Sequence, residues 1–341
     1  MKLVIQIPCL NEEATLPATV RDLPRMLPGF DRIEILVIDD GSRDRTAEVA
    51  IQLGVHLIKV PTTRGLAHAF MTGIEASLAR GADVIVSTDA DNQYVGEDVA
   101  ALVAPVMRGD ADVVIGARPI QAMASFSAVK KVLQRLGSWT VRKLSGTDVV
   151  DATSGFRAFS REAALRLNVF SRYTYTLETI VQAGQRDLRV VSVPIRVNTV
   201  DRASRLVRNN VDYVWRTGSA LLRMSIVYRP FRSFMLPALG AFGAGTAIGA
   251  RFLWYFLDAG GAAGHVQSLI LAAILYGVAA ALAVVAFLGD LLAINRRLLE
   301  ELQLHARKAR IENASSGERP ESMLVEPYWQ DERRRAQRSG P

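Results

Sequence analysis

Asp89, Asp91 and Gln93 set an oxygen-bearing side chain at every second position of "VSTDADNQYVGED", directly after an apolar run. Asp and Asn commonly serve turns through local backbone hydrogen bonds, so a solvated turn is one reading. The other is an oxygen-ligand site for a divalent cation, because carboxylates at i and i+2 on an extended segment can both reach one ion. The stretch alone weights the two equally. Two further polar clusters lie upstream, "PCLNEE" at 8–13 and "DDGSRDRT" at 39–46. In the latter, Asp39 and Asp40 could accept hydrogen bonds from a nucleobase or a ribose, and Gly41 lets a ligand approach the backbone closely. Asn11 and Glu12 could face the same nucleotide, although Asn11 could instead cap the helix that follows. Asp44 and Thr46 have the simpler job of candidate caps. Together the clusters describe a nucleotide pocket with a metal at its diphosphate end. Mg²⁺ or Mn²⁺ suits oxygen ligands, and the lack of a His/Cys cluster argues against structural zinc.

The elements that must position these residues alternate through the first half of the chain. "LVIQI", "IEILVID", "VHLIKV", "DVIVSTD" and "DVVIGA" read as short strands, and 14–26, 45–53, 66–80 and 97–107 read as helices. Such alternation predicts an α/β domain with a mostly parallel sheet covered by helices on both faces. Ligands of open sheets bind beyond the carboxyl ends of strands, which is where all three clusters fall. That shared rim makes a turn-only reading of any one cluster much weaker. Beyond Ala117 come a basic helix, "AVKKVLQRLGSWTVRKL", the stretch "DATSGFRAFSREAALRL", a strand-like "RVVSVPIRV" and then "DRASRL".

Hydrophobic residues make up 50% of the 341, and the excess is local. Residues 234–257 and 269–292 are mostly apolar. Each run is about 24 residues, enough to cross a hydrocarbon core of roughly 30 Å. Neither run shows an amphipathic stripe, and Gly240, Gly243, Gly245 and Gly249 suit close helix packing. "DAGGAAGHVQ" between the runs has no Lys or Arg, whereas Arg223, Arg229, Arg232, Arg296 and Arg297 flank them. By the positive-inside rule both long soluble parts, and both termini, face the cytoplasm. Arg251 can snorkel to the interface and Asp290 is already near it. A basic amphipathic helix is expected from 206 to 227, lying in the interface. The expected organisation is a catalytic-type domain at 1–205, juxtamembrane helices at 206–232, two membrane helices within 233–295, and a helical extension with a disordered basic tail at 296–341.

The single cysteine, Cys9, excludes an intramolecular disulfide framework and fits a reducing compartment. "KLVIQIP" is too short for a signal peptide and runs straight into a polar motif. The net charge of +7 is concentrated in arginines near the apolar runs and in the tail. Anionic lipids are therefore the expected partners, and no motif for nucleic acid appears.

With these residues in view, the chain resembles the family 2 glycosyltransferases of GT-A (Rossmann-like) fold. More narrowly it resembles the polyprenyl-phosphate hexosyltransferases related to dolichyl-phosphate mannose synthase, over about residues 1–230. The family's Pro-x-x-Asn-Glu is Pro8, Asn11 and Glu12, its Asp-Asp-Gly-Ser is Asp39 to Ser42, and its Asp-x-Asp-x-Gln metal motif is Asp89, Asp91 and Gln93. Its Gly-Ser-Arg appears as Gly116, Ala117 and Arg118, and its Ser-Gly-Phe as Ser154 to Phe156. Glu178 in "YTYTLE" fits the acidic position near the acceptor. The apolar pair matches the branch with a C-terminal α-helical transmembrane hairpin, some of whose members assemble as tetramers. Three departures stand out. Cys9-Leu10 replaces a small residue and Tyr, "TTRGLAHA" replaces a glycine-lysine loop, and Arg202-Ala203-Ser204-Arg205 replaces Gly-x-Ser-Lys.

The resemblance implies inverting transfer of a hexose from a nucleotide-sugar, of GDP-mannose or UDP-glucose type, to polyprenyl phosphate. Asp91, Glu178, Arg118 and Asp151 are then the candidate catalytic residues. Pro8, Asn11, Glu12, Asp39, Asp40, Arg64, Asp89 and Ala90 are the candidates for the donor. Arg118, Lys131, Arg135, Arg202, Ser204 and Arg205 are the candidates for the acceptor phosphate. Lys131 and Arg135 share one helix face, which could equally be a solvated or lipid-facing basic face. A nucleotidyltransferase would carry a glycine-rich loop where this chain has "PCLNEE", and a processive polysaccharide synthase would show Gln-x-x-Arg-Trp before further spans. A glycosyltransferase acting on another membrane glycolipid is one alternative, and a membrane scaffold that only binds nucleotide-sugar is the alternative from another class; retention of Asp89, Asp91, Gln93 and Glu178 counts against the scaffold. The arginine asymmetry predicts that a cysteine placed at Ala262 is labelled from outside the cell. Labelling from the cytoplasmic side alone would contradict the topology.

Overall fold

The computed structural model describes residues 1–120, 128–169, 175–198, 218–219, 222–258 and 266–315. It divides into two units: 1–217 with 303–341, and 218–302.

In the first unit the strands are β1 (Lys2–Cys9), β2 (Arg32–Asp39), β3 (His56–Lys59), β4 (Val84–Ser87), β5 (Val113–Ala117), β6 (Arg157–Ser160) and β7 (Val190–Pro194). The helices are α1 (Leu16–Asp22), α2 (Thr46–Gln52), α3 (Leu66–Ala79), α4 (Val99–Met107), α5 (Ala128–Ser145), α6 (Arg161–Arg166) and α7 (Thr176–Gln185). All five strands expected up to Ala117 form, and so does the one in "RVVSVPIRV". Helix α1 is shorter than the apolar pattern because Leu23 precedes Pro24, and the residue before proline is driven into extended backbone, here ψ 139°.

The sheet has seven strands in the order β3-β2-β1-β4-β6-β5-β7. Strand β1 lies between β2 and β4, parallel to both, and pairs Cys9 with Asp39 and Gln6 with Ser87. Its alternate residues serve two layers. Leu3, Ile5, Ile7 and Cys9 join the core with α1, α2 and α4. On the other face Gln6 donates to the carbonyl of Phe70 on α3 at 3.4 Å. Gly73 of α3 leaves room for that side chain, since a Cβ would sit 2.2 Å from the Gln6 amide oxygen.

Among the described residues β6 alone runs antiparallel to its neighbours, β4 and β5. The alternating pattern predicts no such reversal in this part of the chain. The amino end of β6, with the "DATSGF" loop before it, reaches the same rim as the carboxyl ends of β4 and β5. Arg157, the first residue of β6, is fully buried and fixes that loop. Its guanidinium donates to the carbonyls of Ser154 and Ala152, both at 2.8 Å, and to the carbonyl and hydroxyl of Thr176 and Thr179 at 2.7 and 2.6 Å. Burial pulls its pKa down to about 10, so it stays charged at neutral pH.

The second unit contains α8 (Pro230–Asp258) and α9 (Val266–Ser315), both long and apolar enough to cross a membrane. Only 11% and 17% of their most apolar windows are buried, which counts against a pair of soluble core helices. The two helices touch where Gly245 meets Ala272, Leu275 and Tyr276, and Thr246 hydrogen-bonds Tyr276 at 3.1 Å. Leu236, Leu239, Phe242 and Trp254 remain exposed, an apolar surface suited to lipid. The loop between the runs, most of the expected amphipathic helix and the tail from 316 lie outside the described residues.

Replacing Arg157 by Met should strand its carbonyl acceptors in the core, at about 1–3 kcal/mol each. The expected result is a fall in melting temperature of about 10 °C or more. An unchanged melting temperature in a thermal scan would contradict this role.

Candidate active site

Three loops meet at the carboxyl rim, and hydrogen bonds between them fix their shape. After β1, Asn11 turns the chain in the left-handed region at φ 55°. The amides of Asn11, Glu12 and Glu13 donate to Ser42, Thr46 and Asp44 at 2.9, 2.8 and 3.2 Å. In return Asn11 accepts from the amide of Arg43 at 2.8 Å. Asn11 thus joins the first loop to the second, and Asp44 accepts from the amide of Thr46 at the start of α2 at 3.0 Å.

Asp39 and Asp40, equivalent by sequence, have different situations. Both Asp40 oxygens are taken, by the amides of Arg64 and Gly65 at 3.0 and 2.7 Å. This carboxylate shapes the loop before α3, where Gly65 needs its φ of 99°. One Asp39 oxygen accepts from Ser42 at 2.9 Å, while the other is buried without a hydrogen-bond partner. A buried lone acceptor at a strand end is the observation expected of a ligand-binding carboxylate. The Arg64 side chain is exposed beside His68, 3.5 Å away. Pro8 is buried near the end of β1, and the carbonyl of buried Ala90 accepts from Thr19 at 3.0 Å.

The third loop follows β4. Asp89 hydrogen-bonds the Tyr94 hydroxyl, which also accepts from the amide of Gly155 at 3.0 Å. Gly155 lies so close that a Cβ would stand 2.7 Å from both Asp89 oxygens. Burial, then the neighbouring Asp91, pushes the Asp89 pKa up to about 6. Asp91 accepts from the amide of Gln93 at 3.1 Å. Burial, and next the charge of Glu12, raises its pKa as well. The rim therefore carries more negative charge than its surroundings neutralise.

Arg118, at the end of β5, closes the site from the other side. It donates to Asp151 at 2.7 and 3.2 Å, to Thr153 at 2.8 Å and to the side-chain oxygen of Gln93 at 3.2 Å. Burial opposes the Arg118 charge, but Tyr94 and Asp151 more than offset it, so its pKa is raised. Burial alone would raise Asp151, yet Arg118 holds it below the ordinary carboxylate range. Arg118 is thus bound into the site's frame, and Gln93 is joined to the "DATSGF" loop.

Glu178 is buried in the first turn of α7. Its carboxylate accepts from the Gln182 side-chain nitrogen at 3.4 Å, and one turn earlier the Tyr175 hydroxyl donates to the carbonyl of Gly155 on this rim at 3.4 Å. Arg135 is exposed on α5. The Lys131 side chain, and Arg202, Ser204 and Arg205, lie outside the described residues. Sequence reasoning missed Tyr94, Thr153 and Arg157. Tyr94 follows the metal motif by one position, a signal that was available. The other two depend on the reversal of β6.

The Glycosyl transferase family 2 model matches residues 4–167, across every one of these rim loops. The chain belongs to glycosyltransferase family 2. This glycosyltransferase is 30% identical over 204 residues to the polyprenol monophosphomannose synthase of Mycolicibacterium smegmatis, covering 56% of this chain and 76% of the relative. It is 31% identical over 206 residues to the undecaprenyl-phosphate mannosyltransferase of Micrococcus luteus, covering 57% and 83%. Its fold matches the glucosyl-3-phosphoglycerate synthase of Mycobacterium tuberculosis with a TM-score of 0.52 at 21% identity, over 66% of this chain and 78% of that one. The expected GT-A fold and glycosyltransferase class therefore stand.

Raised carboxylate pKa values have a definite sign. The folded state binds protons more tightly than the unfolded chain, so these groups favour folding at low pH and disfavour it as pH rises. For Asp89 the change falls between the ordinary value of 3.8 and about 6. Burial and the charge of Glu12 raise Asp91 in the same direction, so Asp91→Asn should raise the melting temperature of chelator-treated protein at pH 7.5. It should also flatten the pH dependence across that window. A lower melting temperature would show that Asp91 stabilises the fold.

Proposed function

We propose that this glycosyltransferase moves a hexose from a nucleotide-sugar of GDP-mannose or UDP-glucose type to polyprenyl phosphate at the cytoplasmic face of the cell membrane. The observation that carries the reading is the rim itself, with its unneutralised Asp89–Asp91 pair beside the unpartnered oxygen of Asp39. The names of the two mannosyl-transferring relatives support polyprenyl phosphate as the acceptor, and the two apolar helices support a membrane-bound enzyme.

Asp39 accepts a hydrogen bond from the base or ribose through its free oxygen. Asn11 and Glu12 line the same pocket, and the exposed Arg64 offers a cation to the diphosphate. The donor set of Asp89, Asp91 and Gln93 is all oxygen, and its excess negative charge fits Mg²⁺ or Mn²⁺. Among the described residues no group of three or more His, Cys, Asp and Glu side chains could hold a metal, so ligand oxygens would complete the shell. The solved M. tuberculosis relative contains Mn²⁺ and UDP, a combination of the same kind. Such an ion supplies neutralisation of charge on the departing diphosphate. Asp91 is the candidate direct ligand, while Asp89, held by Tyr94 and Gly155, sets the loop.

The acceptor phosphate is already largely dianionic near pH 7, its second pKa being about 6, so a strong general base is scarcely needed. Orientation matters more. Arg202, Ser204 and Arg205, with Lys131 and Arg135, form the proposed cradle at the membrane surface, and Glu178 borders it. Arg118 and Asp151 act by holding Gln93 and the "DATSGF" loop in register.

Radiolabelled GDP-mannose, UDP-glucose and related donors, offered with undecaprenyl phosphate, test the reaction. A lipid-extractable labelled product is expected from at least one donor, and no product from any donor contradicts the reading. Arg205→Ala should raise the apparent KM for the lipid phosphate, or lower turnover, roughly tenfold, through loss of one charge-assisted contact. Loss of donor binding with normal use of the acceptor would instead assign Arg205 to the donor site.

A further inference from the structure

From Gln303 onward α9 belongs to the same unit as the sheet. Three of its side chains dock there. The Arg307 guanidinium donates to the carbonyls of Leu165 and Leu167 at the end of α6, and to Glu75 of α3 at 3.2 Å. A cation beside the last carbonyls of a helix is favoured by the helix dipole as well as by the hydrogen bonds. Lys308 pairs with Glu162 of α6 at 3.2 Å. One turn earlier, the Gln303 side-chain oxygen accepts from the Asn168 amide nitrogen at 2.6 Å.

Asn168 is held from its other side as well. Its backbone amide donates to the Gln182 side-chain oxygen at 3.0 Å, and its carbonyl accepts from the Gln182 nitrogen. That nitrogen also donates to Glu178 at 3.4 Å, one turn back along α7. Gln182 and Glu178 are both buried, with 2% and 5% of their surface exposed. The orientation of the Gln182 amide is chemically determined. Turning it over would set its oxygen against a carboxylate and a carbonyl, and its nitrogen against an N–H. A continuous set of hydrogen bonds thus runs from the helical extension to the acidic residue of α7.

We propose that Gln182 and Asn168 are positioning residues for Glu178, and that Gln303, Arg307 and Lys308 hold Asn168 in place from beyond the apolar hairpin. The helical extension is then a working part of the acceptor side of the site. This rests on the reading of Glu178 as an acceptor-side residue. The donor loops after β1, β2 and β4 make none of these contacts, so the effect is confined to one substrate.

The test uses the full-length enzyme in vesicles with undecaprenyl phosphate and GDP-mannose or UDP-glucose, whichever supports transfer. Gln303→Ala and the double variant Arg307→Ala/Lys308→Ala are compared with Gln303→Glu, which keeps an acceptor oxygen, and with Glu178→Gln. The Gln303 contact is exposed, so the Gln303 substitutions leave the core untouched. We expect Gln303→Ala and the double variant to lose about three- to tenfold in kcat/KM for the lipid phosphate, the effect of one or two lost hydrogen bonds. The donor KM should stay within about twofold. Gln303→Glu should behave as wild type. The proposal is overturned if both disrupted variants are normal while Glu178→Gln is impaired, or if donor and acceptor constants worsen together. Normal turnover by Glu178→Gln would remove the role of Glu178 itself, and the proposal with it.

Discussion

The buried pair of Arg118 and Asp151 is the contact on which the geometry of the site depends. Arg118 is 10% exposed and Asp151 not at all, so an isolated charge on either would be costly. Pairing removes that cost only if the geometry is good and the remaining donors find acceptors. Here Thr153 and Gln93 supply them. As a result the end of β5, the metal-motif loop after β4 and the loop before β6 can adopt only one mutual arrangement. The neighbouring Arg157 secures the underside of the same loop and connects it to α7. Two buried guanidiniums, one ion-paired and one held by carbonyls and a hydroxyl, thereby fix what the sheet alone leaves open.

This frame keeps unlike demands together. Burial raises the pKa of both metal-motif aspartates, and like charge adds to it, from Asp91 on Asp89 and from Glu12 on Asp91. The fold accepts that strain because the loops are tied elsewhere, by Ser42, Thr46 and Asp44 on one side and by Tyr94 and Gly155 on the other. A site with surplus negative charge is unfavourable until a cation arrives, which is the behaviour expected of a metal-dependent transferase. The division of labour between Asp39 and Asp40 follows the same logic. One carboxylate builds a loop so that the other can remain available to a ligand.

Much of this was legible in the sequence for physical reasons. Parallel strands buried on both faces read as unbroken β-branched runs, so β1 to β5 were visible, and the polar clusters after them marked the rim. The apolar helices were visible because lipid imposes a length as well as a composition. Strand β6 was not, since "RAFS" is short and begins with an arginine that ordinary patterning assigns to the surface. With β6 unseen, neither the reversal of direction nor the placement of "DATSGF" above Asp89 could be inferred. The motif was recognisable, but its purpose was not. Likewise nothing in "DDGS" distinguishes the aspartate that binds backbone amides from the one with a free oxygen. Only the position of the Arg64–Gly65 loop decides that.

Under the proposed function the Asp89–Asp91 rim holds a divalent cation together with a nucleoside diphosphate. Electron paramagnetic resonance of Mn²⁺ added to the full-length protein addresses it directly. The expected result is bound Mn²⁺ whose lines broaden when UDP or GDP carrying ¹⁷O in its diphosphate is added. Asp91→Ala should abolish this bound signal while the protein remains folded. Equal Mn²⁺ binding by Asp91→Ala, or lines that ignore the labelled diphosphate, would contradict it.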